Sequence, residues 1–237
     1  MKRPNLSLSI DIEEDIHNVL NFLECEKNPQ ILDKFLLPEA KALLGEDISS
    51  EGLEEKTRAF VTKFYEDNDR TIKKGLEEAK VNWTRFDDGY YRYVEELFNS
   101  RGWLSNEYRG VSSIFGLYPR EIDRKLFFFP YRYNIERFSN MIIGHEMLHF
   151  MFFDFLFDRY QLRENSRLEG KSDNYIWQLS EAFNSAIEGD PRYQDSIGIK
   201  YDVRPYTGQE GMVALIKEQM AKEKNIGKLL DKWIIGA

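Results

Sequence analysis

The chain has 237 residues, 42% of them hydrophobic and 14% aromatic, enough to build a sizeable core in one domain or two small lobes. Its formal charge of -8 argues against a sequence-independent grip on nucleic acid or an anionic membrane, since both reward clustered Lys and Arg. Cys25 is the one cysteine, which excludes an internal disulfide and a multi-thiolate metal site.

The start, Met1-Lys2-Arg3-Pro4, is basic like a signal peptide, but Leu6, Leu8, Ile10 and Ile12 alternate instead of forming an apolar run. That period of two predicts a half-buried opening strand and a cytoplasmic address. From Glu13 to about Phe98 the pattern turns helical, punctuated at Asn28-Pro29, Pro38, Gly45 and Ser49-Ser50, and predicts several amphipathic helices. Between Arg101 and Tyr133, glycines and prolines bracket Val111 to Leu117 and Lys125 to Phe129, which read as two short strands paired as a hairpin. A helix follows from about Asn134 to Arg159, apolar on nearly every side and therefore buried. It is too interrupted by charge to cross a membrane.

Ser172 is placed to cap the next helix, which ends near Gly189-Asp190-Pro191. Tyr193 to Tyr206 reads as irregular or a short strand, Thr207-Gly-Gln-Glu210 as a capping box opening a helix to about Lys224, and Leu229 to Ile234 as a last short helix. The expected organisation is a mainly helical N-terminal lobe over residues 1–100 and a catalytic region over 101–237, together one compact unit.

The segment Gly144-His145-Glu146-Met147-Leu148-His149 carries the chemistry. Residues i and i+4 lie one above the other on a helix, so both imidazoles can reach one ion. Glu146 stands beside them, where a carboxylate can accept the proton of a metal-activated water. Such sites need a third protein ligand. The positions where a metzincin would hold its glycine and third histidine are Phe152 and Phe155, which excludes that arrangement.

His145-Glu146-Met-Leu-His149, followed by Ser180-Glu181-Ala-Phe, resembles a gluzincin, the thermolysin-like class of HExxH zinc metallopeptidases. The resemblance spans Met141 to Ser185. It implies an α+β, mainly helical, zincin-like fold with a small sheet packed over the active helix. It also implies one Zn2+ held by His145, His149 and Glu181, with Glu146 as general base. Where the family often has an aspartate that orients a ligand histidine, this chain has Ser185; Asn184, Asp173 or a backbone carbonyl could take the role. The sheet edge that holds an extended peptide in the family corresponds to the strand with Phe127, Phe128 and Phe129. For the oxyanion donor, the candidates are Tyr206 and Arg204.

The expected partner is a peptide or protein substrate. Two alternatives remain: a zincin-like module that binds zinc or peptide without cutting, and a di-iron carboxylate protein using the Glu-x-x-His pairs Glu14/His17 and Glu146/His149.

Overall fold

The computed structural model describes residues 3–25, 50–132 and 137–235. The punctuation expected at Asn28-Pro29, Pro38 and Gly45 lies outside them, as does the expected helix start at Asn134. The protein is mainly helical with a small mixed four-stranded sheet. It divides into two compact units built from interleaved segments, not from the stretches on either side of residue 100. One comprises residues 1–5, 83–106 and 143–237, the other 6–82 and 107–142.

Among the described residues, the second unit holds nearly all of the sheet, the whole of one helix and most of another. Strand β1 is Asn5–Ser9, β2 Glu107–Ser113, β3 Arg120–Glu121 and β4 Leu126–Pro130, in the order β1-β2-β4-β3. Helix α1 is Ile12–Cys25 and α2 is a 35-residue helix, Ser50–Thr84, two of the several helices that the sequence pattern suggested between Glu13 and about Phe98. Its solvent side is laced with pairs such as Lys63–Asp67, Asp69–Lys73 and Lys74–Glu78, the i,i+4 spacing that supports an exposed helix face. Ile16, Val19, Val61, Tyr65, Ile72, Ile114 and Phe115 make its core. Within that core Asp15 is fully buried: its carboxylate accepts from Ser113 Oγ at 2.6 Å, from the Ile114 N–H at 3.0 Å and from the Tyr65 hydroxyl at 2.9 Å.

Two strand expectations need correction. The two principal strands do not form a hairpin: β2 pairs with β4 in parallel, Arg109 opposite Leu126 through Ser113 opposite Pro130. The segment between them is long enough for a crossover, and it contributes β3, which pairs antiparallel to β4. Nor is β4 an edge. It lies between β2 and β3, Phe127, Phe128 and Phe129 are all buried, and the Phe128 N–H donates to the Pro119 carbonyl. A strand covered on both faces carries a continuous apolar run, which is what Leu126 to Phe129 is.

The first unit is helical. It contains α3 (Asp87–Leu97), most of α4 (Phe138–Tyr160), α5 (Tyr175–Glu188), α6 (Pro191–Ile197), α7 (Glu210–Lys222) and α8 (Ile226–Ile234). Helix α5 starts with Asn174 in the cap position, and Ser172 contributes its carbonyl to the Tyr175 N–H, not a capping hydroxyl. Helix α6 occupies part of the stretch expected to be irregular. Asp190 accepts from the Arg192 N–H, Pro191 fills the first turn, and Gly198 closes it at φ 72°. A side chain on Gly198 would collide with the Phe86 ring, so glycine serves both the left-handed conformation and the close approach there. At α7 the cap is Gln209, and Glu210 reaches back to the Gly208 N–H at 2.9 Å. Among the described residues no helix is long and apolar enough to cross a membrane.

Candidate metal centre

Helix α4 is apolar on nearly every side, and Ile143, Met147, Leu148, Phe150 and Phe152 are fully buried. Phe152 and Phe98 both pack on Phe183 of α5, with ring centroids 5.1 and 5.8 Å apart, which holds α5 against α4. The start of the motif is pinned from a third direction, because the Tyr90 hydroxyl of α3 donates to the Gly144 carbonyl at 2.7 Å. Gly144 has no room for a methyl group: an added Cβ would lie 2.7 Å from the Tyr193 hydroxyl and 3.1 Å from Ile197.

In that setting three potential ligands converge. His149 Nε2 lies 3.0 Å from His145 Nε2, and the Glu181 oxygens lie 3.4 Å from His149 Nε2 and 3.6 Å from His145 Nε2. His149 and Glu181 are buried, while the His145 side chain keeps 21% of its surface open. His145, His149 and Glu181 thus form a group that can hold a metal ion. The spacing fits: ligands about 2.0–2.1 Å from a tetrahedral ion stand about 3.3 Å from one another. The donor set, two imidazoles and a carboxylate, is one that borderline-soft divalent ions accept. Glu146 is also buried, with Oε1 4.0 Å from His145 Nε2.

The group that sequence reasoning missed is Glu188. Its Oε1 lies 2.6 Å from His145 Nδ1, a contact that favours a proton on Nδ1 and leaves Nε2 as the ring nitrogen facing Glu181 and His149, free to ligate once its own proton is lost. Ser185 does not take this role, and Asn184 acts on the backbone instead, donating from Nδ2 to the His145 carbonyl at 3.0 Å. Asp173 is exposed and paired with Arg167. Glu188 was legible in one respect: it stands seven residues after Glu181, two turns along the same face of α5. Burial disfavours the charged form of His145, but Glu188, Glu181 and Glu146 outweigh it and hold its pKa well above the ordinary histidine range.

Beyond Glu188 lies Tyr201, whose phenol is pushed far above its usual range by burial and by the Glu188 carboxylate. The Gln194 side chain ties this layer together, donating to the Glu188 and Tyr201 carbonyls at 3.0 and 2.9 Å. The two oxyanion candidates lie elsewhere on the same segment. Arg204 is exposed, and Tyr206, 56% exposed, sets its ring against Trp177 at 5.7 Å between centroids.

The di-iron alternative gains nothing from the geometry. Glu14 is engaged by Arg124 and Arg109, His17 is exposed beside Asn21, and neither belongs to the metal-capable group. Phe127 to Phe129 belong to the other compact unit. No family model, curated protein or solved structure matches the chain.

Proposed function

We propose that the chain is a zinc-dependent metallopeptidase of gluzincin type, with a zincin-like active region, in which His145, His149 and Glu181 hold the ion and Glu146 is the general base. The observation that carries this reading is the convergence of three potential ligand residues, with the two imidazole Nε2 atoms 3.0 Å apart, one Glu181 oxygen 3.4 Å from His149 Nε2 and the other 3.6 Å from His145 Nε2, and with the buried Glu146 carboxylate beside them. A zinc ion bound there supplies Lewis acidity, lowering the pKa of a water and polarising a substrate carbonyl.

The chain's own groups do the rest. Glu188 keeps the His145 ring from rotating, so its Nε2 stays aimed at the ion position. Glu181 places one negative charge with two imidazoles that are neutral when they ligate, so a dication would leave this three-residue ligand set with one positive charge, which the Glu146 and Glu188 carboxylates face. Glu146 is within reach, through one water, of a proton near His145 Nε2, and it can pass that proton to the leaving amine. Three protein ligands among the described residues favour a catalytic site with an open position over a closed structural one.

The test combines metal content with turnover. One zinc per chain is expected in the purified protein, lost on chelation and in His149→Ala and Glu181→Ala. Glu146→Gln should keep the metal and lose about 100-fold or more in peptide hydrolysis. An active Glu146→Gln enzyme would sink the mechanism, and two irons per chain would restore the di-iron reading.

A further inference from the structure

Trp177, one helical turn from the candidate ligand Glu181, and Tyr206, which packs on it, hold none of the roles assigned in the proposed mechanism. On α5, Trp177 stands four residues before Glu181 and Glu188 seven after it. At 100° per residue all three fall on one stripe of the helix, and four residues advance it by about 6 Å. Trp177 is therefore about one helical turn along the face that carries the metal ligand, and an extended peptide covers that distance in about two residues.

This ring is half-buried and is met from outside by Tyr206, inclined at 54° to it and 56% exposed. A tryptophan and a tyrosine left partly open to water lose apolar hydration when a third apolar group covers them. Rings in tilted contact also accept another ring or a branched aliphatic chain along their open faces. The segment that delivers Tyr206 has its own support, since Gln194 holds the Tyr201 carbonyl and thereby fixes the chain five residues upstream. The pair is thus connected to the candidate site twice, through α5 and through the Tyr201 segment beside Glu188.

We infer that Trp177 and Tyr206 form a side-chain subsite that selects peptides with an aromatic or large aliphatic residue within about two positions of the bond to be cut. This rests on the peptidase reading, and it assigns Tyr206 a role through its ring, distinct from oxyanion donation through its hydroxyl.

The experiment uses the full chain carrying Glu146→Gln, loaded with zinc, and a series of short end-blocked peptides that differ at a single position, Ala, Leu or Phe, walked along the sequence. Calorimetric titration should show one position at which Phe and Leu bind at least about tenfold tighter than Ala, the discrimination expected of an apolar pocket. Adding Tyr206→Ala or Trp177→Ala should erase that preference, whereas Tyr206→Phe, which keeps the ring, should retain it. Because Tyr206 is exposed, its variants report on the subsite even where Trp177→Ala unsettles the helix. A preference that survives Tyr206→Ala, or one lost equally in Tyr206→Phe, would overturn the proposal. Parallel digestion of the same peptides by the unmodified enzyme separates the two readings. Cleavage without side-chain preference removes the subsite alone, whereas neither cleavage nor binding of any peptide removes the peptidase reading with it.

Discussion

Replacing Glu188 tests whether the layer behind the ligands sets the metal affinity. Its Oε1 is 2.6 Å from His145 Nδ1, a charge-assisted contact in a buried setting. Removing such a partner from a ligating histidine costs about 10- to 100-fold in metal affinity, or roughly 1.4–2.7 kcal/mol. Glu188→Gln keeps an acceptor oxygen and loses the charge, so it should fall near the tenfold end. Glu188→Ala leaves the Nδ1 proton buried without its partner and should approach 100-fold. Ser185→Ala, at the place where the family resemblance puts the orienting aspartate, should change nothing. The assay is competition for zinc with a chromophoric chelator at fixed pH, with circular dichroism to show that each variant is folded. The pH dependence has a definite sign: because the carboxylates raise the His145 pKa, its proton competes with the metal to a higher pH than an ordinary histidine's would. Affinity should rise with pH through that range, and Glu188→Gln should move the rise to lower pH. Affinities within twofold of the unmodified chain in both Glu188 variants, or a loss in Ser185→Ala comparable to that in Glu188→Ala, would refute the assignment.

Two further outcomes follow from close packing and from burial. Gly144→Ala would force a methyl group to within 2.7 Å of the Tyr193 hydroxyl, on a ring with no exposed surface, so it should cost about 1–3 kcal/mol in denaturant unfolding and weaken metal binding. Asp15 has its pKa raised to about 6 by burial, against the hydrogen bonds from Ser113, Ile114 and Tyr65, which lower it. The folded protein therefore holds this proton more tightly than the unfolded chain does. Its contribution to stability is largest below about pH 4 and is lost as pH rises to about 6, by up to about 3 kcal/mol. Chemical denaturation of the unmodified chain against pH should contain this step. Asp15→Asn should lack it and, by placing a donor amide among three donors, should be less stable at pH 7 by about 1–3 kcal/mol. An unchanged pH profile in Asp15→Asn would show that the carboxyl does not titrate in that window.

How far the sequence can be read depends on how local each determinant is. His145, Glu146 and His149 share one helical turn, so their geometry follows from the helix itself and needs nothing from the rest of the fold. Glu181 requires α5 to lie beside α4, which no local pattern states. The resemblance to a gluzincin supplied that contact, and the packing of Phe183 on Phe152 and Phe98 produces it. Glu188 needed the same contact plus a choice among acidic groups, and the resemblance pointed to Ser185 instead. Glu188 stands three residues beyond that place and meets the His145 imidazole from there. The interval of seven from Glu181 is the pattern that would have singled Glu188 out.

The strands show the opposite limit. Their existence is local, but their pairing is not, because Val111 to Ser113 and Leu126 to Phe129 would carry the same apolar residues in a hairpin or in a parallel pair. What the sequence does contain is an argument against placing Phe127, Phe128 and Phe129 at an edge. An edge strand offers one face and one row of unpaired N–H and C=O groups to water, and natural chains protect it with charge, bulges or short length. Leu126 to Phe129 has no charge and no alternation, so both of its faces had to be covered. Residue type therefore predicts that β4 is interior, in agreement with its position between β2 and β3. If the proposed peptidase function holds, a peptide would have to be recognised by other means than strand addition to β4, and the proposed side-chain recognition by Trp177 and Tyr206 is one such means that does not require a free sheet edge.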